Sequence, residues 1–158
     1  MFDIDPIEFN KLKQKTEEEY KKISYFDSPA LKAPIHFNSE GFYHLRYDNN
    51  RSERTRKVQR TKFLLLNKTV EILKTATTVQ EYRRGYCRVG KPDKSGFRRT
   101  SLVEWFGFLA ITSFTKQTRI NIVIRRVGDG HFHFWSVMPS WNLTNNIRYI
   151  GSRNLESE

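Results

Sequence analysis

Cysteine is nearly missing from this chain: Cys87 is the only one in 158 residues. A lone thiol excludes an internal disulfide and fits a reducing compartment, so a cytoplasmic protein is expected. Cys87 sits in a β-like patch and reads as a structural side chain rather than a nucleophile. No apolar run approaches the length of a membrane span, and the acidic N-terminus lacks a signal-peptide pattern. No membrane partner is therefore expected. Acidic residues are sparse after Asp48, which leaves out the paired carboxylates of a two-metal nuclease. His131 and His133 stand two apart on a strand, yet no carboxylate cluster joins them, so no metal is expected. A phosphate-cradling glycine loop is also missing, because Gly128-Asp129-Gly130 joins two strands rather than a strand and a helix. No nucleophile elbow is visible, which removes the Ser-His-Asp hydrolases. None of these patterns implies a cofactor.

What the chain does have is positive charge. Its 28 lysines and arginines outnumber 17 acids, for a net charge of +11. The excess is unevenly placed: residues 1–27 hold five basic and seven acidic side chains, so the remainder carries +13. Such an excess points to a polyanionic partner, nucleic acid before membrane. The length fits one domain over 1–158, with an N-terminal helix in 1–27, a core in 35–139 and a polar tail in 152–158.

Asp5-Pro6-Ile7-Glu8 is a helix start, with an N-cap acid, proline at the first helical position and a carboxylate at N3. Phe9, Leu12, Thr16, Tyr20 and Ile23 follow at helical spacing, predicting a helix that ends near Ser24. Pro29 and Pro34 predict an irregular connection. Residues 35–47, IHFNSEGFYHLRY, read as a small hairpin or two bridge strands around a Ser39-Glu40-Gly41 turn. A second helix is expected from about Arg54 to Thr75, its stripe carried by Val58, Phe63, Leu66, Val70 and Leu73. Its first half is densely basic. After Thr77 the period changes: a strand over 79–88 interrupted at Gly85, a basic loop over 89–100, and a buried strand over 102–112. The fold class expected is α+β, with N-terminal helices packed on a four-stranded antiparallel sheet.

The clearest signal is Arg119–Pro139, RINIVIRRVGDGHFHFWSVMP, two β-patterned runs around a Gly-Asp-Gly turn. Unbroken alternation pairs Arg125 with His133, Val123 with Trp135, Ile124 with Phe134 and Ile122 with Ser136. His133 then shares the polar face with Arg125 and Trp135, while Ser136 falls on the apolar face unless the strand bulges.

A set of His, Arg, Lys and Ser on a basic surface suits metal-free RNA cleavage. Histidine exchanges protons near neutral pH, arginine and lysine stabilise the phosphate in flight, and aromatic rings hold splayed bases. His44, before the Arg51–Lys62 basic run, is the first catalytic candidate, with Arg54, His133 and Ser136 beside it. Arg51, Arg56, Arg60, Lys62, Arg125 and Trp135 are candidates for nucleic-acid contact.

The order of features resembles the barnase–EndoU–colicin–RelE group of small metal-independent ribonucleases, in its phage- and mobile-element-encoded branch. The segments GFYHLRYD, the following Arg-rich helix, EWFGFLAI and HFHFWSVMP carry the resemblance, which covers residues 35–139. It implies an endoribonuclease of toxin or phage-defence type, with roles for His44, Arg54 and Ser136. It also implies tRNA or ribosome-associated RNA as partner and an antitoxin or immunity protein as inhibitor. Alternation along the last strand favours His133 where the resemblance favours Ser136. A non-catalytic nucleic-acid- or ribonucleoprotein-binding module, such as a phage-encoded inhibitor, is the alternative.

Overall fold

The computed structural model describes residues 4–113 and 117–142. Helix α1 (Pro6–Ile23) begins as its sequence predicts, with the Asp5 carboxylate accepting the Ile7 N–H at 3.1 Å and proline in the first turn. Phe9, Thr16 and Tyr20 form its buried stripe. Strands β1 (Tyr25–Ser28) and β2 (Ala33–His36) follow as a short antiparallel pair. The prolines of this stretch suggest an irregular connection, but Pro29 falls in the turn and Pro34 faces Asp27 of β1.

The expected turn at Ser39-Glu40-Gly41 is instead the first turn of helix α2 (Ser39–Arg46). Asn38 caps it by accepting the Gly41 N–H at 3.2 Å, and Tyr20 donates its hydroxyl to the Asn38 carbonyl at 2.6 Å. Gly41 lets α2 lie close to the sheet, since a Cβ there would collide with the Tyr20 hydroxyl and the Phe134 carbonyl. Helix α3 (Arg56–Thr75) begins two residues after its expected start, because the Thr55 hydroxyl caps the Val58 N–H.

Four longer strands follow: β3 (Glu81–Val89), β4 (Arg99–Ser113), β5 (Gln117–Val127) and β6 (Phe132–Asn142). Gly85 does not interrupt β3; it pairs with Val103 inside a continuous ladder. The sheet is six-stranded and mixed, in the order β1-β2-β6-β5-β4-β3, rather than four-stranded and antiparallel. The broad α+β class holds. The correction comes from β2, which joins the free edge of β6 in parallel through Ile35↔Phe132 and His36↔His133, carrying β1 with it.

The helices cover one face. Ile120, Ile122 and Ile124 of β5 meet Phe63, Leu65, Leu66 and Leu73 of α3, with Tyr20 and Leu45 closing the core from α1 and α2. The opposite face carries a smaller cluster of Val103, Trp105 and Val123, flanked by Cys87 and Trp135. It is there that the cleft lies. The expected polar tail over 152–158 lies outside the described residues.

Candidate functional site

A cleft of about 660 Å³ opens between α2, the loop after it, the β3–β4 hairpin and the uncovered face of the sheet. Glu40, Tyr43 and His44 line it from α2, and Asp48 and Arg51 from the loop. Arg88, Lys91 and Arg98 line it from the hairpin, and Trp105, Arg125 and Trp135 from the sheet. Five basic side chains therefore face two carboxylates, an arrangement that favours an anionic occupant.

Trp135 sits at the centre because β6 bulges. The pairs Arg125↔His133 and Ile124↔Phe134 are those expected from alternation, but the register then shifts to Val123↔Ser136 and Ile122↔Val137. Trp135 is the extra residue. The shift puts Phe134 and Val137 into the same core although they are three residues apart, which unbroken alternation forbids. The displaced indole lies against the His44 ring, with centroids 4.3 Å apart and planes inclined by 21°. The Arg125 guanidinium carbon stands 4.3 Å from the indole centroid, a cation–π contact.

His44 is held from the other side by Arg54. The Arg54 Nε–H donates to the His44 carbonyl at 3.2 Å, and Arg54 Nη2 lies 3.4 Å from His44 Nε2. A guanidinium only donates, so where this contact is a hydrogen bond Nε2 is its acceptor. Gln59 in turn donates to the Arg54 carbonyl at 2.6 Å, tying the loop to α3. His44 is only 3 % exposed yet lines the cleft.

On the cleft wall, Glu40 bridges two groups of the sheet: its Oε2 lies 3.7 Å from both Arg125 Nη1 and His133 Nε2. Burial, and then the Arg125 charge, push the His133 imidazole down to about 4, so it is neutral at physiological pH. Burial also lowers Arg125, against the pull of Glu40. Several buried donors on this face, Trp105 Nε1, Trp135 Nε1 and Arg125 Nε, have no hydrogen-bond partner among the described residues. Each belongs to a side chain that lines the cleft. Unpaired buried N–H groups are costly.

The residues singled out in the sequence separate. His44, Arg51, Arg125 and Trp135 meet at the cleft, with Arg54 packed on His44. His133 lies behind Glu40, outside the cleft lining. Ser136 and Lys62 are fully buried together, with the Lys62 ammonium 2.8 Å from the Ser136 hydroxyl and 3.0 Å from the Val137 carbonyl. As placed, neither is open to a phosphate. Arg56 lines a different groove, with Pro6 and Phe9 of α1, and Arg60 is exposed on α3. The choice between His133 and Ser136 thus takes an unexpected form: Trp135, which lies between them in sequence, faces the cleft.

Glu40, Arg88, Lys91 and Arg98 were not among the sequence candidates. Glu40 and His44 are four apart, a spacing that shares a face only in a helix. Asn38 followed by Phe42 and Leu45 is the signal that could have revealed that helix. Among the described residues no group of three or more His, Cys, Asp or Glu stands close enough to hold a metal ion. No helix among them is long and apolar enough to cross a membrane. Comparison with protein-family models, curated proteins and solved structures found no match.

Proposed function

We propose that this protein is a metal-independent endoribonuclease of toxin or phage-defence type that cuts RNA in the α2–Trp135 cleft. One observation carries the reading: Glu40 and His44 project from one face of α2 into a cleft whose lining also holds Arg51, Arg88, Lys91, Arg98 and Arg125. A carboxylate and an imidazole one helical turn apart are an acid–base couple. In this reading Glu40 takes the proton from a 2′-hydroxyl, and the freed oxygen attacks the adjacent phosphorus. The bond from phosphorus to the 5′-oxygen breaks, His44 enters the step as the imidazolium and gives its proton to that oxygen, and a 2′,3′-cyclic phosphate and a neutral imidazole remain. Arg51 and Arg125 hold the phosphoryl oxygens as charge accumulates on them. The resemblance to the barnase–EndoU–colicin–RelE group supports this chemistry through the roles it implies for His44 and Arg54, although Arg54 lies before α3 rather than in it. It leaves Ser136 without a catalytic role. Transfer RNA or ribosome-associated RNA as substrate, and an antitoxin or immunity protein as inhibitor, belong to the same proposal.

The test is incubation of the purified protein with tRNA and total RNA in EDTA, with the product ends analysed. Cleavage leaving cyclic phosphates is expected, and it should be lost in His44→Ala and Glu40→Gln. No cleavage, or undiminished cleavage by both variants, would overturn the reading. A second reading, a non-catalytic RNA- or ribonucleoprotein-binding module, is favoured by the deep burial of His44 and the engagement of its Nε2 by Arg54. It predicts salt-sensitive binding without turnover.

A further inference from the structure

The β3–β4 hairpin extends the charge of the cleft onto a surface that no part of the mechanism uses. Residues 81–100 carry seven lysines and arginines against Glu81 and Asp93, so twenty residues supply +5 of the chain's +11. Strand β3 is the sheet's edge, and its even positions form one row: Tyr82, Arg84, Tyr86 and Arg88. Tyr82 is 49 % and Tyr86 79 % exposed. At the tip, Phe97 is 74 % exposed.

That phenyl ring is not on a slack loop. Asp93 Oδ1 accepts the Ser95 N–H at 2.8 Å and the Phe97 N–H at 3.0 Å, and the Asp93 N–H reaches the Phe97 carbonyl at 2.8 Å. Gly96 supplies the positive φ of 83° that the turn needs. An ordered turn thus holds an apolar ring in water, flanked by Lys94, Arg98 and Arg99. Tyr86 and Phe97 stand mostly in water and gain little from folding, whereas Tyr82 packs on Phe106 and donates its hydroxyl to Glu104. Tyr86 and Phe97, set among guanidinium groups, match a polyanion whose flat faces are free to stack.

Resting on the RNA reading of the cleft, we infer that the outer face of the β3–β4 hairpin is a second RNA contact. It selects single-stranded RNA by stacking bases on Tyr86 and Phe97 between arginines. Two features distinguish a single strand from other occupants. Duplex RNA keeps its bases stacked inside and offers no face to a tyrosine. A partner strand added to the β3 edge would have to accommodate Arg83, Arg84 and Arg88, charges that block edge pairing. Arg88 belongs both to the exposed row and to the cleft lining, so the two surfaces are contiguous. A chain passing over the hairpin edge would enter the cleft beside it.

The experiment is fluorescence anisotropy of the full chain with a labelled oligouridylate and with an RNA duplex of equal length. Wild type should prefer the single strand. Tyr86→Ala and Phe97→Ala should each weaken single-strand binding about fivefold or more and leave duplex binding unmoved. Tyr86→Trp, which restores a stacking face, should bind as wild type does. All four proteins should give one circular dichroism spectrum, because the rings are exposed. A duplex preference, or alanine variants that hold the single strand as tightly as wild type, would overturn the inference. So would variants whose only loss is binding to phosphatidylserine vesicles. Cleavage of the dinucleotide uridylyl-adenosine, too short to reach the hairpin, separates the two proposals. If the dinucleotide is cut and the alanine variants bind normally, only the hairpin's role falls. If it is not cut while those variants lose the single strand, the catalytic reading falls and the hairpin's role stands.

Discussion

Lys62 of α3 and Ser136 of β6, 74 residues apart in sequence, form a fully buried hydrogen bond of 2.8 Å. It pins the long helix to the bulged strand and stands on the core side of the residue that faces the cleft. Removing the hydroxyl leaves a buried ammonium short of an acceptor. Ser136→Ala should therefore cost about 1–3 kcal/mol in urea denaturation, and activity per folded molecule should survive. Lys62→Met, which removes the charge and keeps most of the volume, should be milder than Lys62→Ala. A Ser136→Ala protein of full stability that no longer cleaved RNA would return Ser136 to the chemistry.

His133 makes stability depend on pH. Its imidazole is held at about 4 when folded, against 6.5 in the unfolded chain, so between those values the unfolded state binds more protons. Stability is full above pH 6.5 and falls as the pH drops toward 4, by at most roughly 3 kcal/mol. Urea melts across this window should show the slope, and His133→Gln should flatten it. Equal slopes in both proteins would mean that His133 is not the group responsible.

Gly41 permits the approach of α2 to β6. A methyl group at this position meets backbone, the Phe134 carbonyl, which cannot swing aside. Gly41→Ala should lose about 1–3 kcal/mol and displace Glu40 and His44 together. Thermal melting and RNA cleavage should fall in step.

At the cleft, Glu40→Gln and His44→Ala should each lower kcat about a hundredfold or more. RNA affinity should hold, and Glu40→Gln should bind slightly tighter because a negative charge leaves a basic cleft. A large loss of binding with kcat intact would make these residues contacts rather than an acid–base couple.

Charge reversal separates the two basic surfaces. Arg88→Glu and Arg98→Glu alter the cleft wall, whereas Arg56 and Arg60 lie on α3 away from that lining. Titrations at several salt concentrations should show the first pair losing more affinity and flattening the salt dependence more. The opposite ranking would move the RNA onto the helix.

Much of the fold was legible. Local signals placed α1, α3 and the β5–β6 hairpin, because caps, periodicity and a glycine turn act within a few residues. The turn itself is as expected, with Gly128 at φ 53° and the Gly130 N–H bonded to the Val127 carbonyl at 2.9 Å. The misreading of 39–46 followed from its aromatics, which favour strands. The Asn38 cap and the fit of Gly41 against Phe134 make the segment helical, and only the second needs the rest of the molecule. The parallel pairing of β2 with β6 is likewise nonlocal, since four-residue strands carry too little pattern to reveal a partner a hundred positions away.

The sequence alone determined the charge excess, the α+β class and the nearness of His44, Arg51 and Arg54 along the chain. Tertiary structure decided which of the last strand's polar residues meets them. One bulge moved Trp135 out of the ladder, left Ser136 to Lys62 and kept His133 behind Glu40. A strand's side-chain period is two, so a single inserted residue reassigns faces in a way that no pattern read along one strand can anticipate.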